Sequence, residues 1–314
     1  MVLGAASAAA GGPAGQVAIT PRSIVLKAPE CAPLFKGPGG GESSTTNLWE
    51  SAKMPSLRAH CDLLQLGVRA FREGRFTDAL AFASRADAEP KDQPGPWVVR
   101  GEAYARWGNL EESAKSFEKA RSMNARALDD AEALDDYGAV LVRLHRADDA
   151  RKIYRVLLPR ASGATGLCPF GGDCDAAALA YLTAGELAME DPAQLEEAIA
   201  ILREARARGG TSNDVRRTSV MALALALDRR GDVDQARDLL SKIFGAEVPP
   251  ELRVRFIAPE EAIVMRALAL EPNDATLALA QWRAYLVQGG DKRAWAAHAK
   301  EHIARLEKGA KKGP

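Results

Sequence analysis

The stretch that decides the fold runs from Trp97 to Ala120 and reads WVVRGEAYARWGNLEESAKSFEKA. Large and small residues recur at helical spacing on both sides of Gly108-Asn109, a pair typical of turns. Small residues let two antiparallel helices approach closely, while aromatic residues fill the space between neighbouring hairpins. The stretch therefore predicts a helical hairpin. The residues that carry the pattern are Trp97, Gly101 and Tyr104 in the first helix and Ser113, Phe117 and Ala120 in the second.

The same hairpin recurs upstream at a fixed distance. Four residues of an earlier stretch match four residues of the Trp97–Ala120 region at an offset of 34. Four coincidences at one offset indicate a repeat, and such two-helix units bury their apolar faces by stacking on their neighbours. The matched pairs are Gly67 with Gly101, Gly74 with Gly108, Phe76 with Leu110, and Ala86 with Ala120.

With these motifs the sequence resembles the tetratricopeptide repeat (TPR) family, whose repeat period is about 34 residues. The pattern is W-x3-G-x2-Y followed by small-x3-F-x2-A, with Arg100 in place of the usual Leu. The resemblance implies an all-α fold, a right-handed superhelical solenoid of helix-turn-helix repeats. It also implies that the concave face binds a peptide or helix of another protein.

Weaker copies of the hairpin extend the array toward the C-terminus. A third copy places Gly138 at an offset of 37 from Gly101, and two further copies precede the break at Pro249-Pro250. Before the first copy the chain is rich in Gly, Pro, Ser and Thr and has no helical periodicity. We therefore expect an extended leader (1–55), a TPR-like array (56–246), and a divergent helical repeat with a terminal helix (247–314).

Composition favours helices and disfavours several functions. Strong helix formers recur throughout and aromatic residues make up only 6% of the chain. Lys plus Arg and Asp plus Glu both number 42, so no general field attracts nucleic acid. The sequence contains no run of about 18 apolar residues. We expect a protein partner, no nucleic acid and no membrane span.

The resemblance implies which first-helix residues line the concave groove. They are Val98, Glu102 and Ala105 in the second hairpin, and Asp135, Ala139 and Val142 in the third.

An acidic run surrounds the start of the third hairpin. It is either a solvated helix face or an acidic lip on the groove. The groove positions lack the Lys/Asn/Arg clamp with which some TPR proteins bind chaperone C-terminal carboxylates, which disfavours that ligand class. The acidic residues are Asp129, Asp130, Glu132, Asp135 and Asp136.

The four cysteines suggest two disulfides. Cys168 and Cys174 flank a loop containing Pro and Gly-Gly, so a local bond is geometrically easy. Cys61 lies in the first repeat helix, which leaves Cys31 of the leader as its mate. Two disulfides would place the protein in an oxidising compartment, the periplasm or outside the cell. The alternative is four free thiols and a cytoplasmic protein.

Residues His298–His302 match H-x-x-E-H, the inverted zinc-protease pattern. Two histidines one helical turn apart can bind zinc while Glu301 activates water, but a third ligand is expected further along the chain. Few residues follow, and Glu307 lies on the same helix. We therefore expect a solvated terminal helix without a metal or cofactor.

The sequence thus predicts an interaction scaffold rather than an enzyme. The first alternative is a metal-dependent enzyme or accessory subunit with a site at His298, Glu301 and His302. The second is a self-associating component of an envelope complex.

Overall fold

The regular structure of the chain is helical, as its content of strong helix formers predicts. No helix in the described ranges combines the length and apolar character that crossing a membrane requires. The chain divides into two compact units, unit 1 (1–133) and unit 2 (134–314), at a boundary inside the predicted array. The computed structural model describes residues 27–35, 52, 54–88, 90–162, 174–208, 213–244 and 256–310.

Unit 1 contains two helical hairpins and a 3-10 helix at Pro29–Phe35. Pro55 begins the first α-helix, where its missing N–H leaves no hydrogen bond unmade. The side chain of Asn109 caps the fourth by accepting from the backbone N–H of Glu112. The helices are α1 (Pro55–Arg72), α2 (Phe76–Ala86), α3 (Gly95–Trp107) and α4 (Leu110–Met123).

Unit 2 continues the alternation of helices and short turns. Its first helix, α5 (Ala131–Arg143), begins just before the boundary between the units. The divergent region after Pro249-Pro250 also forms helices, close to where periodicity places them. The remaining helices are α6 (Ala147–Ser162), α7 (Cys174–Met189), α8 (Leu195–Arg208), α9 (Asn213–Arg230), α10 (Val233–Phe244), α11 (Glu261–Leu270), α12 (Ala275–Val287) and α13 (Ala296–Ala310).

Helix-to-helix packing in the hairpins depends on a glycine that faces a large side chain. A Cβ atom added at Gly101 would lie 2.7 Å from the ring of Phe117, and one added at Gly138 would lie 2.9 Å from the ring of Tyr154. At Gly185 the nearest atoms belong to Leu202, 2.6 Å away. The small residue in the first helix therefore makes room for the large one in the second.

The turns inside the hairpins need a left-handed residue. Gly74, Gly108 and Gly231 end their helices with φ values of 75°, 89° and 100°. His145 has a φ of 57° at the turn between α5 and α6. This turn thus uses a conformation that glycine adopts more readily.

Each unit has its own apolar core, and the core of unit 1 includes part of the predicted leader. Ala28, Cys31 and Leu34 are buried in the cluster formed by α1, α2 and α3. Residues 29–35 form a 3-10 helix instead of the extended chain that their composition predicts. Burial of these apolar side chains outweighs the low helical propensity of the segment. The all-α helical repeat fold is confirmed, and its right-handed superhelical path remains a prediction.

Candidate functional site

A segment of the predicted leader is bonded to the first helix of unit 1. We call residues 27–35 the leader segment. Its Cys31 is disulfide-bonded to Cys61 of α1, with 6.0 Å between the Cα atoms, and this is the pairing expected from the sequence. Cys168 lies outside the described residues, as does the side chain of Cys174, so the second pairing stays a prediction.

Lys27 places a buried positive charge among three carboxylates. Its side chain is 1% exposed, and its Nζ donates to Glu102, to Asp130 at 2.7 Å and to Glu132 at 3.2 Å. Burial alone would lower the pKa of Lys27, but these carboxylates raise the pKa well above its ordinary value. Lys27 therefore stays charged and anchors the start of the leader segment.

Glu30 holds the leader segment to two further elements. Its Oε1 accepts from the backbone N–H of Gly95 at 2.9 Å and lies 3.1 Å from Nε2 of His60. The ring of His60 is fixed because its Nδ1 donates to the carbonyl oxygen of Ala86 at 2.8 Å. A Cβ atom at position 95 would lie 2.5 Å from Oε1 of Glu30, so this approach requires glycine.

The leader segment reaches one of the groove positions that the resemblance implies in unit 1. Val98 and Glu102 are fully buried, Ala105 is nearly so, and Glu102 binds Lys27. The corresponding residues 34 positions earlier are also buried, and all three belong to the same cluster as the leader segment. These residues are Leu64, Val68 and Phe71.

The groove positions implied for unit 2 have a different exposure. Ala139 is exposed, whereas Asp135 and Val142 are half-buried. The acidic run also crosses the boundary between the units. In unit 1 its residues Asp130 and Glu132 bind Lys27. At these two positions the run is a binding surface for a cation and not only a solvated face.

The H-x-x-E-H motif lies on α13, where its two histidines meet a carboxylate from α9. Oδ2 of Asp228 is 2.7 Å from Nε2 of His298 and 3.2 Å from Nε2 of His302. The two Nε2 atoms are 3.2 Å apart. The three residues form a group that could hold a metal ion, and they correct the expectation that His298 and His302 lie on a solvated helix face.

A second carboxylate fixes the inner histidine. Nδ1 of His302 donates to Oε1 of Glu271 at 2.5 Å, and the same oxygen accepts from Nε1 of Trp282 at 2.8 Å. Arg305 donates to the other oxygen of Glu271 at 2.7 Å. Although burial alone would raise it, the pKa of Glu271 is lowered by these cationic and donor neighbours. Sequence reasoning missed Glu271 and Asp228.

Glu301 does not occupy the position that the zinc-protease pattern requires. Its side chain is 78% exposed, and its carboxylate is 4.0 Å from Nδ1 of His298. The shared carboxylate of Asp228 lies instead at Nε2, the opposite ring nitrogen of His298. A base that activates metal-bound water must be within reach of the metal-bound side of the ring. The geometry of Glu301 does not match that role.

Comparison with known proteins found similarity only among solved structures. No family model matches the chain, and no curated protein matches it significantly. MamA from Desulfovibrio magneticus RS-1 is 20% identical with a TM-score of 0.44, covering 59% of this chain and 93% of MamA. PilF from Pseudomonas aeruginosa is 13% identical with a TM-score of 0.43, covering 79% of this chain and 98% of PilF.

The match to a tetratricopeptide repeat protein from Parabacteroides merdae covers 83% of this chain and 89% of the Parabacteroides protein. It is 15% identical with a TM-score of 0.38. Because these scores lie below 0.5, the fold assignment rests on the residues of this chain. The 34-residue register, the glycine that faces a large side chain in successive hairpins, and the helical structure of the described residues identify an all-α protein built from repeated helical hairpins.

Proposed function

We propose that this protein is an interaction scaffold that binds a peptide or helix of a partner protein on its concave face, without catalysis. The hairpins are the structural unit of such scaffolds, because their first helices present a continuous surface for a segment of another chain.

The observation that carries the proposal is the leader segment in unit 1. Its apolar residues share a buried cluster with Leu64 and Val68, at groove positions implied for the first hairpin, and Lys27 lies against Glu102 in the second. Unit 1 thus already binds a short segment in the manner proposed for a partner. Apolar side chains supply burial, and a buried cation supplies specificity.

The chemistry of α5 suggests the partner segment. Its groove positions run from the acidic Asp135 to the apolar Ala139 and Val142. A complementary segment carries a basic residue followed, about one helical turn later, by apolar residues. Val98 is buried and Glu102 is bound to Lys27, so the partner contacts α5.

Site-specific photocrosslinking in the native host tests this. A photoreactive residue replaces Ala139 or Val142 in the full-length protein, and the control is Val156, an exposed valine on α6, the second helix of the same hairpin. We expect one discrete crosslinked partner from Ala139 and Val142 and none from Val156. Crosslinks from Val156 alone, or equal crosslinks from all three positions, contradict a concave binding face.

The location of the protein is part of the proposal. The bond between Cys31 and Cys61 supports an oxidising compartment, and we propose the periplasm or the exterior, with an envelope complex as the setting. A cytoplasmic location is the alternative. Alkylation of the protein from its native host separates the two, because disulfide-bonded cysteines do not react without reductant.

A further inference from the structure

Three ligand atoms in unit 2 converge at spacings that suit a metal ion. The two Nε2 atoms of His298 and His302 are 3.2 Å apart, and Oδ2 of Asp228 is 2.7 Å and 3.2 Å from them. Ligand bonds of about 2.0–2.1 Å in tetrahedral geometry place neighbouring ligand atoms about 3.3 Å apart. Two of the three separations match this value closely.

One carboxylate oxygen of Asp228 also has an unmet requirement for a partner. Its side chain is 1% exposed, and its Oδ1 has no hydrogen-bond partner in the part of the chain that the structure describes. A buried carboxylate oxygen without a partner is costly, because water no longer solvates it. A cation coordinated by this carboxylate would meet the requirement.

The position of the proton on the His302 ring leaves one ring nitrogen free to coordinate a metal ion. Because Nδ1 donates to Glu271, that nitrogen carries a proton and Nε2 is available as the metal ligand. Trp282 and Arg305 hold Glu271 in place, and the ring of Trp282 packs 4.3 Å from the ring of His302. A carboxylate that orients a ligating histidine is the usual outer-sphere arrangement at zinc sites.

We propose that Asp228, His298 and His302 bind one divalent transition-metal ion, with zinc the expected ion. Nitrogen and carboxylate oxygen together suit zinc better than calcium or magnesium, which prefer oxygen ligands alone. The side chain of His298 is 19% exposed, so water fills the fourth position from that side.

The ion joins the last helix to the rest of unit 2. Asp228 lies near the end of α9, and both histidines lie on α13. Because Glu301 is outside the site, the ion stabilises the attachment of α13 and does not generate a nucleophile with that residue. This role is separate from the peptide-binding surface on α5, so either inference can fail alone.

Metal analysis of the full-length, tag-free protein tests the site. After chelation, the protein is titrated calorimetrically with zinc chloride, and bound zinc is measured by mass spectrometry. We expect one zinc ion per chain. At free zinc of about 100 times the dissociation constant, the melting temperature should rise by about 5 to 10 °C. Cobalt should give a visible absorption band and quench tryptophan fluorescence through Trp282.

Variants separate coordination from folding. His298→Ala removes the most exposed ligand and Asp228→Asn keeps the side-chain shape, and both should lose stoichiometric zinc while keeping the helical circular dichroism spectrum. Glu271→Gln should weaken zinc binding by about 10- to 100-fold. The matched control is His145→Asn, at an exposed histidine between α5 and α6.

Two results overturn the proposal. One is a wild-type protein that binds no zinc at micromolar free concentration, in which case His302 and Asp228 are simply a buried ion pair. The other is equal zinc binding by wild type and His298→Ala, which would place the ion elsewhere. The control His145→Asn should bind zinc as the wild type does.

Discussion

The side-chain nitrogen of Lys27 lies 2.7 Å from Oδ2 of Asp130, 103 residues further along the chain. This contact joins the leader segment to the end of unit 1, and Glu102 completes it from α3. Removing one partner of a buried ion pair strongly destabilises the folded state, because the remaining charge is left without water and without its counterion. The leader segment is therefore part of the folded structure of unit 1.

Lys27→Met should destabilise unit 1 strongly. The substitution preserves most of the side-chain volume but leaves Glu102, Asp130 and Glu132 without their cation. We expect a loss of about 3 to 5 kcal/mol in the free energy of unfolding, measured by urea denaturation. Adding Glu102→Gln to Lys27→Met should restore part of the loss, since it removes the most deeply buried of the three negative charges.

The control is Arg75→Met. Arg75 is exposed and bonds to Glu73 and Asp78 on the surface. Exposed ion pairs contribute little, because water screens them. If Lys27→Met shifts the urea midpoint no more than Arg75→Met does, the buried cluster does not hold the leader segment.

The disulfide predicts a specific alkylation pattern. Without reductant, Cys31 and Cys61 should resist alkylation in protein from the native host, and both should react after reduction, as measured by intact mass and peptide mapping. The bond closes a loop with a sequence separation of 30, so Cys61→Ser should cost about 3 to 4 kcal/mol. Alkylation of all four cysteines without reductant would reject both the bond and the oxidising location.

Gly101 should be intolerant of a larger side chain. In Gly101→Ala the new methyl group lies 2.7 to 2.9 Å from atoms of the Phe117 ring, which is fully buried and cannot move aside. We expect a loss of about 1 to 3 kcal/mol by thermal unfolding. Phe117→Leu should partly restore the stability lost in Gly101→Ala. The double variant should therefore lose less stability than the sum of the losses in the two single variants.

Gly309→Ala is the matched helical control, since no atom of the described residues lies within 4 Å of the added Cβ. It should be neutral or slightly stabilising, because alanine has the higher helix propensity. An equal loss at Gly101 and Gly309 would show that the close contact with Phe117 is unimportant.

Sequence periodicity was sufficient to predict the repeated hairpins, because the contacts within a hairpin join residues that are close in sequence. Gly101 and Phe117 are only 16 residues apart and recur with the same spacing as Gly138 and Tyr154. The leader segment was harder to predict, since its short 3-10 helix is stabilised by tertiary burial and not by its own propensity. Cys31 and Cys61 gave the one clue to where it lies.

The metal-binding geometry could not be predicted from motif spacing. The zinc-protease pattern places the third ligand beyond His302, whereas Asp228 precedes His298 by 70 residues. The fold of unit 2 brings Asp228, near the end of α9, to the histidines of α13, and no local pattern encodes this contact. Lys27 was missed for the same reason, because its three carboxylates are 75 to 105 residues away.

A buried carboxyl group in unit 2 should make stability depend on pH. Burial raises the pKa of Glu186 to about 8. Its Oε2 accepts from the backbone N–H of Ile257 at 2.9 Å, and its Oε1 has no partner among the described residues. The folded state therefore favours the protonated carboxyl. Its contribution to stability is fully present below pH 4.5, the ordinary pKa, and is lost as pH rises through about 8.

Glu186→Gln should remove this dependence, because the amide keeps an acceptor for Ile257 and cannot ionise. The variant should gain stability relative to wild type progressively between pH 4.5 and about 8, with a constant difference above that range. Urea unfolding across pH 4 to 9 measures it, and Glu204→Gln, at an exposed position on α8, is the control. Parallel stability curves for wild type and Glu186→Gln would show that folding does not shift the pKa of Glu186 and would contradict this prediction.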